Sequence, residues 1–428
     1  MTNMIIGILL LLTFFAFIVY VIKGGNLMLG FFFMAILWSI IGLVPLQTAI
    51  QKVFAEPALN YGPTIIYIAF GSWFGRVLVD SGIAQSISAK TEKVGRKSPL
   101  LAAILVVLVT AFIFVSAYGV GSVIAIGVIL LPILFSLGLP KPVAVAAFTM
   151  AIGSSMYVNV VLFNQIKAFF PQVQFGGKYL QFGWTAMGIQ LVAVIIFLLL
   201  NSKKIHANQV KTEMAEEVST DPALPKINPV AYIIPVLPVF FNMVLHWDAV
   251  PALVLSTILA MLLTGKLKSY KGAVEFINNT IQQAISDIAG LVMFLMALVM
   301  FSSAAVMNTQ RFQGIFAALI PSNTLVLAIT IGVLAPLALF RGPLHVWGAG
   351  AATAAVLAAT GMFSPYFLLP LLYIPSIMAV SGDITQSWNV WALEYTKVQA
   401  KEFYKYTIPV MWTVSIVNEL VGWVFFGR

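Results

Sequence analysis

The sequence contains no cysteine, and charged residues make up only 9% of its 428 positions. Without cysteine the chain forms no disulfide, carries no thiolate nucleophile and offers no Cys-ligated metal site. Its three histidines, His206, His246 and His345, are scattered and show none of the spacings that metal sites use. Soluble domains carry about 25% charged residues, whereas 61% of this chain is hydrophobic. The composition therefore predicts an all-α, multi-pass protein of a cell membrane that contacts the lipid bilayer.

The net charge of +9 at pH 7 comes from lysines and arginines in short loops between apolar segments. Nucleic acid binding would need these charges on one face, and none is apparent, so we expect no nucleic-acid partner. Residues 1–23 lack a basic start and a small-residue cleavage site. This segment is therefore predicted to be a retained span rather than a signal peptide.

Hydropathy predicts about ten segments that are long enough to cross a bilayer. They lie near 3–22, 26–46, 63–85, 141–168, 179–201, 229–246, 249–266, 285–307, 364–396 and 404–426. Two further apolar stretches, 99–139 and 323–361, are about 40 residues long and carry a glycine-rich polar break at mid-length. Such a length lets the chain enter and leave the bilayer on the same side, so both stretches are predicted to be re-entrant hairpins.

The two halves of the chain, 1–201 and 229–428, show the same order of segments on either side of the polar linker 202–228. Each half has two spans, an amphipathic connector, a third span, a hairpin, a span with a polar interruption and a closing span. The connectors are 48–60 and 268–283. Five crossings per half give the halves opposite topology. Inverted repeats with paired broken helices, here 141–168 and 364–396, indicate a secondary-transporter site near the bilayer midplane.

Lysine and arginine residues divide unequally between the two sides of this predicted topology. One side receives most of them, including Lys23, Lys97 and Lys405, and the other receives few, such as Lys52 and Lys167. Because positive loops mark the cytoplasmic side, the linker 202–228 is predicted to be cytoplasmic. Both termini are then extracytoplasmic, the first hairpin enters from the cytoplasm, and the second enters from outside.

The segment from Arg341 to Gly350, RGPLHVWGAG, places a cation, a histidine and three glycines at the tip of the second hairpin. A guanidinium at bilayer depth costs roughly 3 kcal/mol and normally faces a cavity or a partner. Arginine's planar donor fork matches a carboxylate, so Arg341, with Gly342 beside it, is predicted to bind an organic anion. An ion pair with Asp383 is the alternative, and both can hold if Asp383 orients Arg341.

Neutral polar residues mark the other breaks, and we predict that they contact the same anion. Hydroxyls and amides supply donors and acceptors, and exposed helix N-termini add positive partial charge. These residues are Ser116, Tyr118, Gly119 and Ser122 in the first hairpin, Ser154, Ser155 and Asn159 in the first broken helix, and Ser381, Thr385, Gln386 and Asn389 in the second. For any single Ser or Asn, a hydrogen bond between helices is an equally good interpretation.

Two titratable residues fall in the predicted site, His345 and Asp383, and we expect them to carry a coupled proton. A histidine that only hydrogen-bonds to hairpin backbone is the alternative for His345. Sodium is the other possible driving ion, because Ser and Asn side chains and unwound carbonyl groups can ligate it. No cofactor and no structural metal are predicted. Glu394 and Glu419 lie near span ends, where we expect contact with water or the interface.

Two local segments resemble a known group of carriers. The sequence FGSWFGRVLVDSGIAQSI at 70–87 is similar to the segment before the first hairpin in gluconate and dicarboxylate carriers, and SGDITQSWNVWALEY at 381–395 resembles a polar break in citrate carriers. With the order of breaks, the chain resembles the ion transporter superfamily of secondary carriers, which includes citrate–metal symporters, gluconate permeases and C4-dicarboxylate carriers. The resemblance implies a homodimer in which a transport domain moves against a scaffold like an elevator. The sodium–dicarboxylate branch carries Ser-Asn-Thr at its hairpin tips, whereas the first tip here reads SAYGVGS, so protons are favoured over sodium.

The leading prediction is import of a small organic anion by proton symport, with citrate, gluconate, lactate-like and C4 acids all open as substrates. An anion channel is disfavoured, because hairpins that enter from opposite sides form a closed two-sided site. An enzyme ranks last, since the sequence has no HExxH motif, no GxSxG motif and no paired-aspartate arrangement.

Overall fold

The computed structural model describes residues 2–23, 25–83, 86, 98–202, 227–245, 247–308, 310–311 and 320–428. Within these residues all regular secondary structure is helical, as the composition predicts. Nearly all of the predicted linker 202–228 lies outside them, as do His206 and His246.

The first half contains α1 (Thr2–Ile22), α2 (Leu27–Ile41), α3 (Leu46–Asp80), α4 (Pro99–Phe114), α5 (Val120–Ser136), α6 (Lys141–Ser155), α7 (Val160–Ile166) and α8 (Gly177–Leu200). The second half contains α9 (Leu237–Leu245), α10 (Ala249–Leu263), α11 (Tyr270–Met307), α12 (Thr324–Leu334), α13 (Gly350–Thr360), α14 (Pro365–Gly382), α15 (Ser387–Thr396) and α16 (Ala400–Phe426). Short 3-10 turns cover Met156–Val158, Pro229–Val236 and Ala335–Arg341.

By length and composition, six helices in the described part of the chain could cross a membrane, or seven if the bent pair of α6 and α7 is one span. Several other apolar helices have only 10–17 residues, among them α4, α10 and α13. At 1.5 Å per residue such helices are shorter than the hydrocarbon core. A multi-pass membrane protein follows from these helices, and the count of about ten spans stays a prediction.

The predicted amphipathic connectors are mostly helical and continue into the spans that follow them. Residues 48–60 continue directly into the third span as α3, which runs from Leu46 to Asp80 and includes a π-helical stretch at Ala49–Ala55. Residues 270–283 likewise begin the 38-residue helix α11. The change from amphipathic to apolar sequence alters what each helix face contacts but does not interrupt the backbone hydrogen bonds.

Both interrupted spans are broken where their polar residues lie. The first bends by 69° between its two parts, and Asn159 begins the second part by accepting hydrogen bonds from the backbone N–H groups of Val161 and Leu162. The second break lies between α14, which ends at Gly382, and α15, which begins at Ser387. Each break leaves helix ends that need polar partners inside the protein.

The two halves pack against each other in a reciprocal pattern. The third-span helix α3 contacts α10 of the second half, and the matching helix α11 contacts α2 of the first half. The broken helices α6 and α14 pack together, as do the closing helices α8 and α16. The contacts thus pair elements that hold the same or exchanged places in the predicted order of the two halves, and the inverted repeat itself stays a prediction.

Candidate functional site

A cavity of about 460 Å³ joins the tips of the two predicted hairpins, called the first and second tip below, with parts of both broken helices. The first half contributes Asn26, Met28, Tyr118, Gly119, Val120 and Leu162, and the second half contributes Asp287, Gly290, Leu291, Phe294, Arg341, Trp347, Val380, Gln386, Ser387 and Trp388. Its volume lies within the range of small-molecule sites, about 300–1,000 Å³. Segments that are far apart in the sequence therefore line a single cavity.

Arg341 is the cation of this cavity, and two hydrogen bonds hold it in place. Its Nη1 donates to the carbonyl oxygen of Trp347 at 3.1 Å, and its Nη2 donates to the carbonyl oxygen of Thr385 at 3.2 Å. The bonds tie the hairpin tip to the second helix break. A guanidinium has five N–H donors, so donors remain for a ligand in the cavity.

The backbone before and at Arg341 is tightly wound. Phe340 and Arg341 both have left-handed φ angles, of 56° and 59°, a conformation that costs a non-glycine residue roughly 1–2 kcal/mol. The turn is closed by a hydrogen bond from the Ala349 N–H to the Arg341 carbonyl at 2.8 Å and another from the Gly350 N–H to the Gly342 carbonyl at 3.0 Å. These bonds offset the strain and fix the direction of Arg341.

The glycines of this tip are required by close packing. A Cβ atom at Gly342 would overlap the backbone of Leu337, and one at Gly350 would overlap the backbone of His345. A Cβ at Gly348 would come within 2.5 Å of the Arg341 carbonyl oxygen. Because these neighbours are backbone atoms, they cannot move aside as a flexible side chain could.

His345 is fully buried behind the tip and does not line the cavity. Its Nδ1 accepts a hydrogen bond from the backbone N–H of Trp347 at 3.1 Å, so in this arrangement the ring proton is on Nε2. The Nε2 atom has no hydrogen-bond partner among the described residues. Binding a second proton on Nδ1 would break the bond to Trp347, whose carbonyl also holds Arg341.

Asp383 is buried beside the cavity but forms no ion pair with Arg341 in the described part of the chain. Its two carboxylate oxygens accept hydrogen bonds from the backbone N–H and the hydroxyl of Thr385, at 2.9 and 2.7 Å. The alternative of a direct Arg341–Asp383 pair is therefore not what the structure contains. Asp383 orients Arg341 indirectly, because it fixes Thr385, whose carbonyl accepts from Arg341.

The first hairpin tip is neutral and small. Gly119 has a φ of +99° and lines the cavity next to Tyr118, while the Ser122 hydroxyl donates to the carbonyl oxygen of Tyr118 at 3.0 Å. Asn159, on the first helix break, donates through Nδ2 to the carbonyl oxygens of Phe114 and Ala117, both at 3.0 Å. One amide thus caps α7 and anchors the first hairpin.

Of the predicted substrate-binding residues, Tyr118, Gly119, Arg341 and Gln386 line the cavity. The others lie behind its wall, and most of them bond to nearby backbone: Ser116, Ser122, Ser154, Ser155, Asn159, Gly342, His345, Ser381, Thr385 and Asn389. Ser154 and Ser155, for example, donate to carbonyl oxygens one turn earlier in α6. Their direct contact with a ligand stays a prediction.

Sequence reasoning missed the part of the cavity that α11 supplies, above all Asp287, which is exposed there. The signal was present, since Asp287 is the one acidic residue within the predicted span 285–307. It also missed Trp347 and Trp388. The ring of Trp388 meets that of Tyr118 edge to face at 6.4 Å, a contact between the two halves.

Comparison with known proteins rests on the fold. No protein-family model matches the chain, and no curated protein matches its sequence. Among solved structures, the YdaH transporter of Alcanivorax borkumensis, described as having an unusual topology, is similar with a TM-score of 0.64. The match covers 94% of this chain and 99% of that chain. The two chains share a fold. Their sequence identity is 14%, so the similarity shows a common helical architecture and does not identify any residue of the site.

Proposed function

We propose that the chain is a secondary active transporter that imports a small organic anion together with protons. The observation that carries the proposal is the cavity in which both hairpin tips and both helix breaks meet around Arg341. Paired helix breaks beside a buried site are typical of secondary transporters. The similarity in fold to a chain that is itself a transporter supports the same role.

Arg341 is proposed to bind a carboxylate of the substrate. Its remaining N–H donors are available in a cavity whose other lining residues are apolar, aromatic or polar, with Asp287 as the one acid among them. Charge-assisted bonds to carboxylate are among the strongest that a side chain makes. Gln386, Ser387 and the Tyr118 ring complete the polar and aromatic lining. Asp287, on α11, also lines the cavity and disfavours a second negative charge of the substrate close to it. Organic acids with few negative charges are therefore favoured over those with several.

Alternating access is proposed from the positions of two cavities. The cavity at Arg341 includes Asn26 and Asp287, which the predicted topology places towards the cytoplasm. A second cavity of about 500 Å³ includes Tyr67, Lys167 and Ser303 and lies between α3, α11 and the far end of the first broken helix. The predicted topology places it on the outer side. We therefore interpret the structure as an inward-facing state, in which an elevator-like shift would bring the tips towards the second cavity.

Moving an anion into a negative interior costs about 2.3 kcal/mol per charge per 100 mV, so a driving cation must accompany it. Protons are the proposed ion, because His345 and Asp383 are titratable side chains of the predicted site. His345 accepts a hydrogen bond from the backbone N–H of Trp347, and Asp383 accepts one from that of Thr385. The carbonyl oxygens of Trp347 and Thr385 are in turn the two acceptors of Arg341. A change in the protonation of either would alter the tip that holds the substrate. Sodium symport is the alternative, and a homodimer is the proposed assembly.

A test begins with a thermal-shift screen of organic acids on the purified protein. Acids that stabilise it are then offered to proteoliposomes under a pH gradient alone or a sodium gradient alone. We expect saturable uptake that follows the pH gradient and exchanges with internal substrate. Uptake that follows sodium at symmetric pH would reverse the assignment of the ion. Flux that does not saturate and does not exchange would indicate a channel.

A further inference from the structure

A fully buried carboxyl group, Glu419 on α16, lies away from the cavity and takes no part in the proposed site. Its position near the end of a predicted span suggested contact with water, but that expectation was wrong, because the side chain is only 1% exposed. Its Oε1 atom has no hydrogen-bond partner, and the described residues include no ion pair with it. An unpaired charge in such surroundings would cost several kcal/mol, so the group must be neutral when it is enclosed.

Polar groups without partners surround Glu419 on the same helix. Ser415 is four residues earlier, and its buried hydroxyl oxygen lacks a partner, as does Oδ1 of the adjacent Asn418. Residues four apart on a helix lie on one face, so Ser415 can serve as a neighbour for the Glu419 carboxyl. On the opposing helix α12, Gly332 lets the two helices pack closely at Glu419, since a Cβ there would lie 3.1 Å from Cα of Ile416 and 3.4 Å from Cγ of Glu419.

A chain of contacts leads from this group to the cavity. Asn418 donates through Nδ2 to the Tyr157 hydroxyl at 3.0 Å, in the first helix break. The Tyr157 ring meets the Tyr373 ring at 6.1 Å, and the Tyr373 ring meets that of Trp347 at 6.0 Å. Trp347 lines the cavity and holds Arg341. The buried carboxyl and the anion site therefore belong to one packed body.

Glu419 also lies near the outer end of α16 in the predicted topology. It lies seven residues before the end of α16 at Phe426, about 10 Å along the helix axis, and the predicted topology places that end outside. A cavity of about 600 Å³ at this end is lined by Tyr179 and Phe426, among others. The Tyr179 hydroxyl donates to the backbone carbonyl of Tyr157 at 3.1 Å. Protons at the outer surface thus have a short distance to cover.

The charged and titratable groups around Glu419 leave it without a fixed counter-charge. Helix α12 carries no titratable side chain, and the facing helices present Tyr157, Tyr179 and Tyr373, all of which are buried. Lys178 and Arg428 at the outer end lie over the aromatic rings of Phe426 and Trp423. Among the residues that the structure describes, no lysine, arginine or histidine therefore forms an ion pair with Glu419.

We propose that Glu419 is a proton-binding site of the transport cycle, distinct from the anion cavity. The carboxylate takes one proton from the outer side when its surroundings open, is carried as a neutral carboxyl while enclosed, and returns the proton to water on the other side. This inference rests on the proposed transport function. It adds a third proton-binding residue to the two already proposed, His345 and Asp383, whose side chains bond to the residues that position Arg341.

The test compares Glu419→Gln with Glu402→Gln, which removes an exposed carboxylate from the same helix. Infrared difference spectra of the wild-type protein across a pH titration should contain a C=O stretching band of a protonated carboxyl. We expect this band to be lost in Glu419→Gln and kept in Glu402→Gln. Absence of the band from the wild-type protein, or its persistence in Glu419→Gln, would overturn the proposal whether or not the protein transports anions.

Transport measurements separate the proton site from a merely structural role. Glu419→Gln should lose accumulation driven by a pH gradient but keep exchange of internal for external substrate, and Glu419→Asp should regain part of the accumulation. Unchanged accumulation in Glu419→Gln would contradict the proposal. So would loss of exchange in a variant that retains the wild-type melting temperature. If the wild-type protein shows no uptake of any acid, the proposed function fails, and the infrared result still decides the protonation of Glu419.

Discussion

The two hairpin tips occupy corresponding places in the two halves but are built by different chemistry. The first tip is neutral, has Gly119 at a positive φ that glycine adopts without strain, and is anchored by the amide of Asn159 on the first helix break. The second tip contains Arg341, two consecutive left-handed non-glycine residues and glycines packed against backbone. The difference is that the first tip brings only neutral groups to the cavity, whereas the second brings a cation, Arg341.

The largest expected effect is on the packing of the second tip. Gly350→Ala places a methyl group against the backbone of His345, and overpacking of this kind typically costs about 1–3 kcal/mol or more. We expect a large loss of thermal stability in detergent or no folded protein. The matched change in the first tip is Gly119→Ala, where the added methyl group meets open space and the cost comes from the backbone alone, whose φ of +99° and ψ of 156° are adopted almost only by glycine. An equal loss in both variants would remove the contrast between the tips.

Arg341→Lys should impair anion binding more than folding. Lysine keeps the positive charge but loses the planar fork that bonds Trp347 and Thr385. Hydrogen bonds to charged groups contribute about 1.5–3 kcal/mol, so the dissociation constant for the anion should rise by a corresponding factor. Calorimetric titration of the purified variant measures it. The control is Ser122→Ala in the first tip, where we expect near-wild-type affinity; unchanged affinity in Arg341→Lys would show that the arginine is structural.

Asn159→Ala should loosen the first tip and leave the second intact. The change removes two hydrogen bonds to the first hairpin and the cap of α7, and loss of a cap alone costs about 0.5–2 kcal/mol. Asn389→Ala is the matched change, because that amide bonds only to Val380 and Asp383 within its own break. Limited proteolysis and amide hydrogen exchange should show faster opening of residues 115–119 in Asn159→Ala and not in Asn389→Ala. Equal protection of this segment in the two variants would contradict the anchoring role.

The smallest expected effect concerns the histidine behind the second tip. His345→Gln removes the Nδ1 acceptor of the Trp347 N–H, but the glutamine amide oxygen can replace it in part. We expect a loss of about 1 kcal/mol in stability and a weaker dependence of anion binding on pH. Binding titrations at several pH values measure this. A pH profile identical to that of the wild-type protein would exclude His345 as a coupling residue.

Polar residues inside long apolar runs predicted where the helices break, and the observed ends at Asn159 and Asp383 lie at those residues. The sequence did not show which of these side chains face the cavity. Ser154 and Ser155 look like ligands by composition, yet both bond to carbonyl oxygens of their own helix. Once a helix is broken, the rotation of its second part about its own axis depends on tertiary packing. Hydrophobic periodicity in the sequence does not predict that rotation.

Some residues of interest were missed because their residue types are common in ordinary structural roles. Trp347 and Trp388 resemble ordinary apolar or interfacial aromatics, and only the folded chain brings them to one cavity. Asp287 and Glu419 are each the single acid in a predicted apolar span, 285–307 and 404–426, and the first was passed over while the second was assigned to a span end. A lone intramembrane acid is informative in itself, but whether it faces a cavity or a closed interior is decided by its neighbours.

The central claim is that both hairpin tips and both helix breaks form one anion site. The chain has no cysteine, so Val120→Cys beside the first tip and Ser387→Cys at the second break can each be labelled alone with a maleimide. A stabilising organic acid should slow the reaction at both positions over the same concentration range, with Tyr270→Cys on the exposed start of α11 as an unprotected control. Protection at only one position, or at neither, would contradict a shared site.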